Sequence, residues 1–84
     1  MGNRVTILFY GRLAEAIGPA VELDEDAGRS IAQLRARLAR DHPAAAATLA
    51  SKQSRACVGN QMVPDEFLVR PGDRVEFLPP VSGG

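Results

Sequence analysis

The chain has 84 residues, room for one domain with one modest core and no second domain. Apolar residues make up 45% and charged residues 24%, a globular balance that argues against a wholly disordered chain. Ten Lys and Arg offset ten Asp and Glu, so the basic excess usual in nucleic-acid binders is missing and no nucleic-acid partner is expected.

Residues 4–10, Arg-Val-Thr-Ile-Leu-Phe-Tyr, are rich in β-branched and aromatic types and predict a strand covered at least partly on both faces. Gly11 to Gly18 carries Leu13, Ala14 and Ile17 at helical spacing and predicts a short helix, stopped by Gly18 and Pro19. Residues 20–24 predict a second strand, and Asp24, Glu25 and Asp26 a solvated acidic turn. The clearest helix is 30–42. Ser30 and Gln33 form a capping box, and Ile31, Leu34 and Leu38 share one stripe with Arg35, Arg37 and Arg40 largely off it. Pro43 ends it, and the alanines at 44–47 allow one more turn before Leu49. Residues 54–59 and 61–64 predict two strands around a tight turn at Asn60-Gln61. Pro71-Gly72-Asp73 predicts another turn, and Arg74 to Leu78 the last strand, ended by Pro79-Pro80.

The order β, short α, β, long α, β, β, β is that of an α+β domain with the first and last strands as candidates for the sheet centre. Side chains alternate across a strand. Covering one sheet face with the helix stripe puts Val5, Ile7, Phe9, Val75 and Phe77 on the covered face. Tyr10 and Leu78 then fall on the open face, a candidate apolar patch for a partner.

A catalytic constellation is missing. His42, the one histidine, sits at a helix end, where it suits the helix dipole. Cys57, the one cysteine, reads as a small buried hydrophobe; alone it forms neither an intrachain disulfide nor a multi-cysteine zinc site. No Gly-rich phosphate loop is present, so ATP is not bound here by that route. No apolar run approaches the roughly 20 residues that span a bilayer, and the first residues lack the apolar stretch of a signal peptide. No membrane partner and a cytoplasmic location are expected.

The last residues, Leu78-Pro79-Pro80-Val81-Ser82-Gly83-Gly84, are distinctive. A terminal glycine pair arises by chance in roughly 0.5% of chains, and a frayed end is the ordinary reading of such a tail. Against fraying, the segment has no charged side chain and its two prolines hold its base extended. Six residues from Pro79 reach about 20 Å, and glycines let the tip pass a narrow channel. The reactive group left at the tip is the α-carboxylate of Gly84.

Val5 to Gly18, Val58-Gly59-Asn60-Gln61, Pro71-Gly72-Asp73-Arg74-Val75 and Phe77 to Gly84 together resemble the MoaD/ThiS family of sulfur carriers, in particular the small subunits of molybdopterin synthase. The resemblance implies a β-grasp, ubiquitin-like fold: a mixed sheet packed on one main helix, with an extended Gly-Gly tail at 78–84. It implies that an E1-like, MoeB-like partner uses ATP to adenylate Gly84, and that a sulfur donor converts it to a thiocarboxylate. A MoaE-like large subunit then passes the sulfur to cyclic pyranopterin monophosphate. The active-site groups would lie on that subunit, in a heterotetramer, and the carrier would hold no cofactor and no metal. Carried over residue by residue, Gly84 bears the sulfur, Gly83 gives clearance, and Tyr10, Leu78 and Val81 match docking positions. Met62 and Val63 lie near another, with a one-residue gap leaving the choice open. Leu78 stands where the family often has an aromatic. Competing readings are a ThiS-like carrier for thiazole synthesis, a ubiquitin-like modifier that joins Gly84 to lysine, and a plain binding module.

Overall fold

A computed structural model of the chain describes residues 4–24, 29–51 and 54–78. Strand β1 (Arg4–Phe9) leads into helix α1 (Gly11–Ile17) and strand β2 (Ala20–Asp24). A two-residue strand β3 (Arg29–Ser30) opens onto helix α2 (Ile31–Asp41). A 3₁₀ turn (Pro43–Ala45) and helix α3 (Ala46–Ala50) follow, then strands β4 (Arg55–Val58), β5 (Gln61–Val63), β6 (Leu68–Val69) and β7 (Arg74–Leu78).

The main sheet has the order β2-β1-β7-β4-β5. The two most hydrophobic strands, β1 and β7, pair in parallel near the middle, with Ile7 opposite Val75 and Phe9 opposite Phe77. The flanking pairs, β1 with β2, β7 with β4 and β4 with β5, are antiparallel. A mixed five-stranded sheet wrapped on one main helix is the β-grasp, ubiquitin-like fold. The minor pair β3 and β6 is absent from the sequence reading. Two-residue strands carry no periodicity to read; the pair forms because Ile31 and Ala32 donate backbone hydrogen bonds to the Phe67 and Asp65 carbonyls.

The core lies where parity puts it. Val5, Ile7, Phe9, Val75 and Phe77 are buried against Leu34, Leu38 and Leu49. The Phe9 and Phe77 rings stack with centroids 6.1 Å apart. Helix α2 starts on a complete capping box: Gln33 N donates to Ser30 Oγ at 3.1 Å, and Ser30 N donates to Gln33 Oε1 at 2.9 Å. The alanine segment forms the 3₁₀ turn and α3, which bury Ala45 and Leu49. No helix among the described residues is long and apolar enough to cross a membrane.

The β4–β5 turn lies one residue before the position read from sequence. Val58 pairs with Gln61, so the turn residues are Gly59 and Asn60, not Asn60 and Gln61. Their φ angles are +59° and +67°, the left-handed pair that a two-residue hairpin needs to match strand twist. Asn tolerates this conformation and β-branched residues do not. Asn60→Val is therefore expected to lower the unfolding free energy by about 1–2 kcal/mol, and Asn60→Gly to leave it level or slightly raised. Urea midpoints at unchanged slope check both.

At the other turn, Asp73 N donates to the Arg70 carbonyl, and Gly72 takes φ +89° after Pro71. Gly72 N also donates to the Arg4 carbonyl at 2.8 Å. The turn thereby fixes the start of β7 against β1, and with it the direction in which β7 delivers Leu78.

Candidate protein-docking face

Helices cover one face of the sheet; among the described residues the other is open. One row of the open face runs Leu8, Glu76, Cys57, Met62 across β1, β7, β4 and β5. A second row, one step nearer the tail, pairs Leu78 with Arg55, and Tyr10 follows Phe9 beside it. Thr6 and Arg74 form the row behind. This face is thus apolar around a central carboxylate, Glu76, with arginines at its margins.

Tyr10 is 40% exposed and Met62 59% exposed, high values for large apolar side chains. Leu78 and Leu8 are half-buried. Tyr10 Oη donates to Glu76 Oε2 at 2.7 Å, pinning the ring over the sheet and occupying that carboxylate. The hydrogen bond to Glu76 holds the Tyr10 phenol above its usual range, so the ring stays neutral through physiological pH.

Of the two residues left open by the alignment gap, Met62 is on the open face. Val63 pairs with Ala56 and packs half-buried against the core from the other side. The ladder register, with Met62 opposite Cys57, decides between the two. Val81, Gly83 and Gly84 lie outside the described residues. Cys57 is 8% exposed and sits in the open-face row, between Met62 and Glu76, rather than in the helix-covered core. His42 caps the end of α2, its N–H donating to the Leu38 carbonyl. Among the described residues no group of three His, Cys, Asp or Glu side chains could hold a metal.

Arg35 departs most from the sequence reading. It lies off the Ile31, Leu34, Leu38 stripe, yet its side chain is only 13% exposed. Nη1 donates to the Leu49 carbonyl at 2.6 Å, Nη2 to the Ser54 carbonyl, and Nε to Asp65 Oδ1 at 3.1 Å. The guanidinium also lies 5.0 Å from the Phe77 ring centroid. One side chain thus clamps the segment entering β4 and the turn after β5 onto the core. Helical periodicity sorts residues by face and misses a long side chain that reaches round to loops. Arg55 likewise has no periodic pattern to mark it. Its register opposite Leu78 places it at the root of the tail.

The sequence model of the ThiS family matches residues 7–84. The chain belongs to the ThiS family. A relative from Haemophilus influenzae, named molybdopterin synthase sulfur carrier subunit, is 31% identical over 81 residues, covering 95% of this chain and 99% of its own. Among solved structures, the small archaeal modifier protein 1 of Haloferax volcanii superposes with a TM-score of 0.83 at 20% identity, covering 95% of this chain and all of its own. A chain in the complex of subunits 1 and 2 of the molybdopterin-converting factor from Helicobacter pylori superposes with a TM-score of 0.67 at 18% identity, covering 96% and 99%. These structural likenesses establish the shared β-grasp fold of this ThiS-family chain.

Proposed function

We propose that this ThiS-family chain is the sulfur carrier of a molybdopterin synthase, with Gly84 as the sulfur-bearing residue and the open sheet face as the surface that selects partners. The observation that carries the reading is the near end-to-end match to the Haemophilus influenzae sulfur carrier subunit, at 31% identity. The family match running through Gly84 supports the role given to the tail.

A carboxylate is a poor electrophile. An E1-like partner binds ATP and joins the Gly84 carboxylate to AMP, releasing pyrophosphate. A hydrosulfide equivalent from a sulfur donor then attacks the acyl carbon and expels AMP. The resulting thiocarboxylate is anionic at neutral pH and nucleophilic through sulfur. Inserted into a large subunit, it attacks cyclic pyranopterin monophosphate. Hydrolysis of the acyl–sulfur bond leaves the sulfur on the substrate and returns the carboxylate. A dithiolene needs two sulfurs and so two loaded carriers. The carrier's own task in this scheme is to hold the tail's root on a rigid sheet and present Tyr10, Leu78, Met62 and Val81 to the partner. No cofactor is held by the carrier itself.

Reconstitution tests the reading. Carrier loaded with sulfur, mixed with the large subunit and cyclic pyranopterin monophosphate, is expected to yield molybdopterin; exchange of the large subunit for thiazole synthase is expected to yield no thiazole. The opposite pattern assigns the chain to thiamine synthesis, and lysine-linked conjugates as the sole product assign it to protein modification. Leu78→Asp is expected to weaken large-subunit binding at least tenfold by burying a charge in an apolar contact, with little change in melting temperature; titration calorimetry checks it.

A further inference from the structure

Neighbouring strands stand about 4.8 Å apart, so the open-face row Leu8, Glu76, Cys57, Met62 spans about 14 Å, with its one charged side chain a single step in from Leu8. Glu76 is half-buried there, between Leu8 and Cys57 across the sheet and beside Leu78 along β7. Its Oε2 accepts from the Tyr10 hydroxyl at 2.7 Å. An ionised carboxylate has about four acceptor sites, so one neutral hydrogen bond leaves most of it to water. No arginine among the described residues forms an ion pair with it. Arg4 is taken by Glu22 and Asp24, and Arg55 reaches the Met62 thioether. Arg74 and Arg55 are exposed, in the rows on either side of that of Glu76.

We propose that Glu76, held by Tyr10, is the docking point for a basic side chain that rises from the apolar surface of the large subunit. The inference rests on the sulfur-carrier reading above and on docking through this face. A partner that touches both Leu8 and Met62 covers Glu76, which lies between them. The carboxylate then loses its water, and a carboxylate buried without a cation opposes binding. A partner base turns that loss into a charge-assisted contact. The arginines make no such demand. They are exposed at the margins, and their long side chains lay apolar stems on the face while the guanidinium heads stay in water. Glu76 is shorter, lies among apolar neighbours and is tied to Tyr10, so it has no such route to solvent. Partner choice thus depends on charge as well as on apolar area: a protein with an apolar ridge but no base at this point is rejected.

The test is titration calorimetry of the full chain against the large subunit from the same organism, with Leu78→Asp as the reference for face docking. Glu76→Leu is expected to weaken binding about thirtyfold or more, because the partner base is left buried without its anion. A carboxylate that met no base would do the reverse, and its removal would tighten binding. Glu76→Gln keeps an acceptor for the Tyr10 hydroxyl and is expected to weaken binding about tenfold. Unchanged binding by Glu76→Gln would reduce Glu76 to a positioning residue for the ring. Glu76→Lys is expected to bind worst of the three, and replacing the one partner Arg or Lys that meets it by Glu to restore it at least tenfold. Unchanged or tighter binding by Glu76→Leu, unchanged binding by Glu76→Gln, or failure of every partner base-to-Glu change to rescue Glu76→Lys overturns the proposal. If Leu78→Asp still weakens binding in that case, face docking stands and only the charge contact falls. If Leu78→Asp also binds normally, the docking reading itself fails.

Discussion

Deleting Gly84, or adding one residue after it, is expected to abolish sulfur loading while leaving the fold intact. Each residue shifts the terminal carboxylate by about 3.5 Å, and a misplacement of about 1 Å already costs on the order of 100-fold in a positioned reaction. The proposed adenylation requires the carboxylate at the tip, and an added residue puts a peptide carbonyl there instead. Stability is expected to hold because the buried core of the described residues runs from Val5 to Phe77, and neither change alters any of its members. Pyrophosphate release with the E1-like partner measures the loss, and a thermal melt measures the fold. Loading at a normal rate by either altered chain would remove Gly84 from the mechanism.

Arg35→Ala is expected to give the largest stability loss of any polar substitution, about 3 kcal/mol. Its removal leaves the part-buried carbonyls of Leu49 and Ser54 without their donor, at about 1–3 kcal/mol each before relaxation, and takes the cation from the Phe77 ring. For a domain this size the melting temperature should fall by roughly 12–24 °C. Arg35→Lys should recover little, since an ammonium cannot fork across two carbonyls and a carboxylate. The effect should reach function too. Ser54 precedes Arg55, and Arg55 pairs with Leu78, so the clamp bears on the strand against which the tail leaves. Denaturant unfolding of both variants checks the magnitude; a loss under about 1 kcal/mol for Arg35→Ala would show that water satisfies the two carbonyls.

The fold was largely legible because its signals are local and periodic. The alternation in Val5, Ile7, Phe9 and in Val75, Phe77 fixed the covered face, and Ser30 with Gln33 fixed the start of α2. Side-chain alternation also put Tyr10 and Leu78 on the open face. What stayed hidden depends on long-range register or reach. The minor β3–β6 pair is two residues long. The hairpin turn was displaced by one residue because Gly-Asn and Asn-Gln both read as turn pairs, and the strand register decides between them. The same register places Met62, opposite Cys57, on the open face and Val63, opposite Ala56, against the core. Arg35 and Arg55 had no pattern to mark them, since one acts through loop carbonyls and the other through a cross-strand neighbour.

The central claim is that Gly84 is converted to a thiocarboxylate. Incubation of the chain with ATP, its E1-like partner and a sulfur source, followed by intact-mass measurement, tests it most directly. The expected product is a species in which one oxygen is replaced by sulfur, located by fragmentation at Gly84 and absent without ATP. An unchanged mass under conditions in which the E1-like partner is active on another carrier, or sulfur found at Cys57 instead, would contradict it.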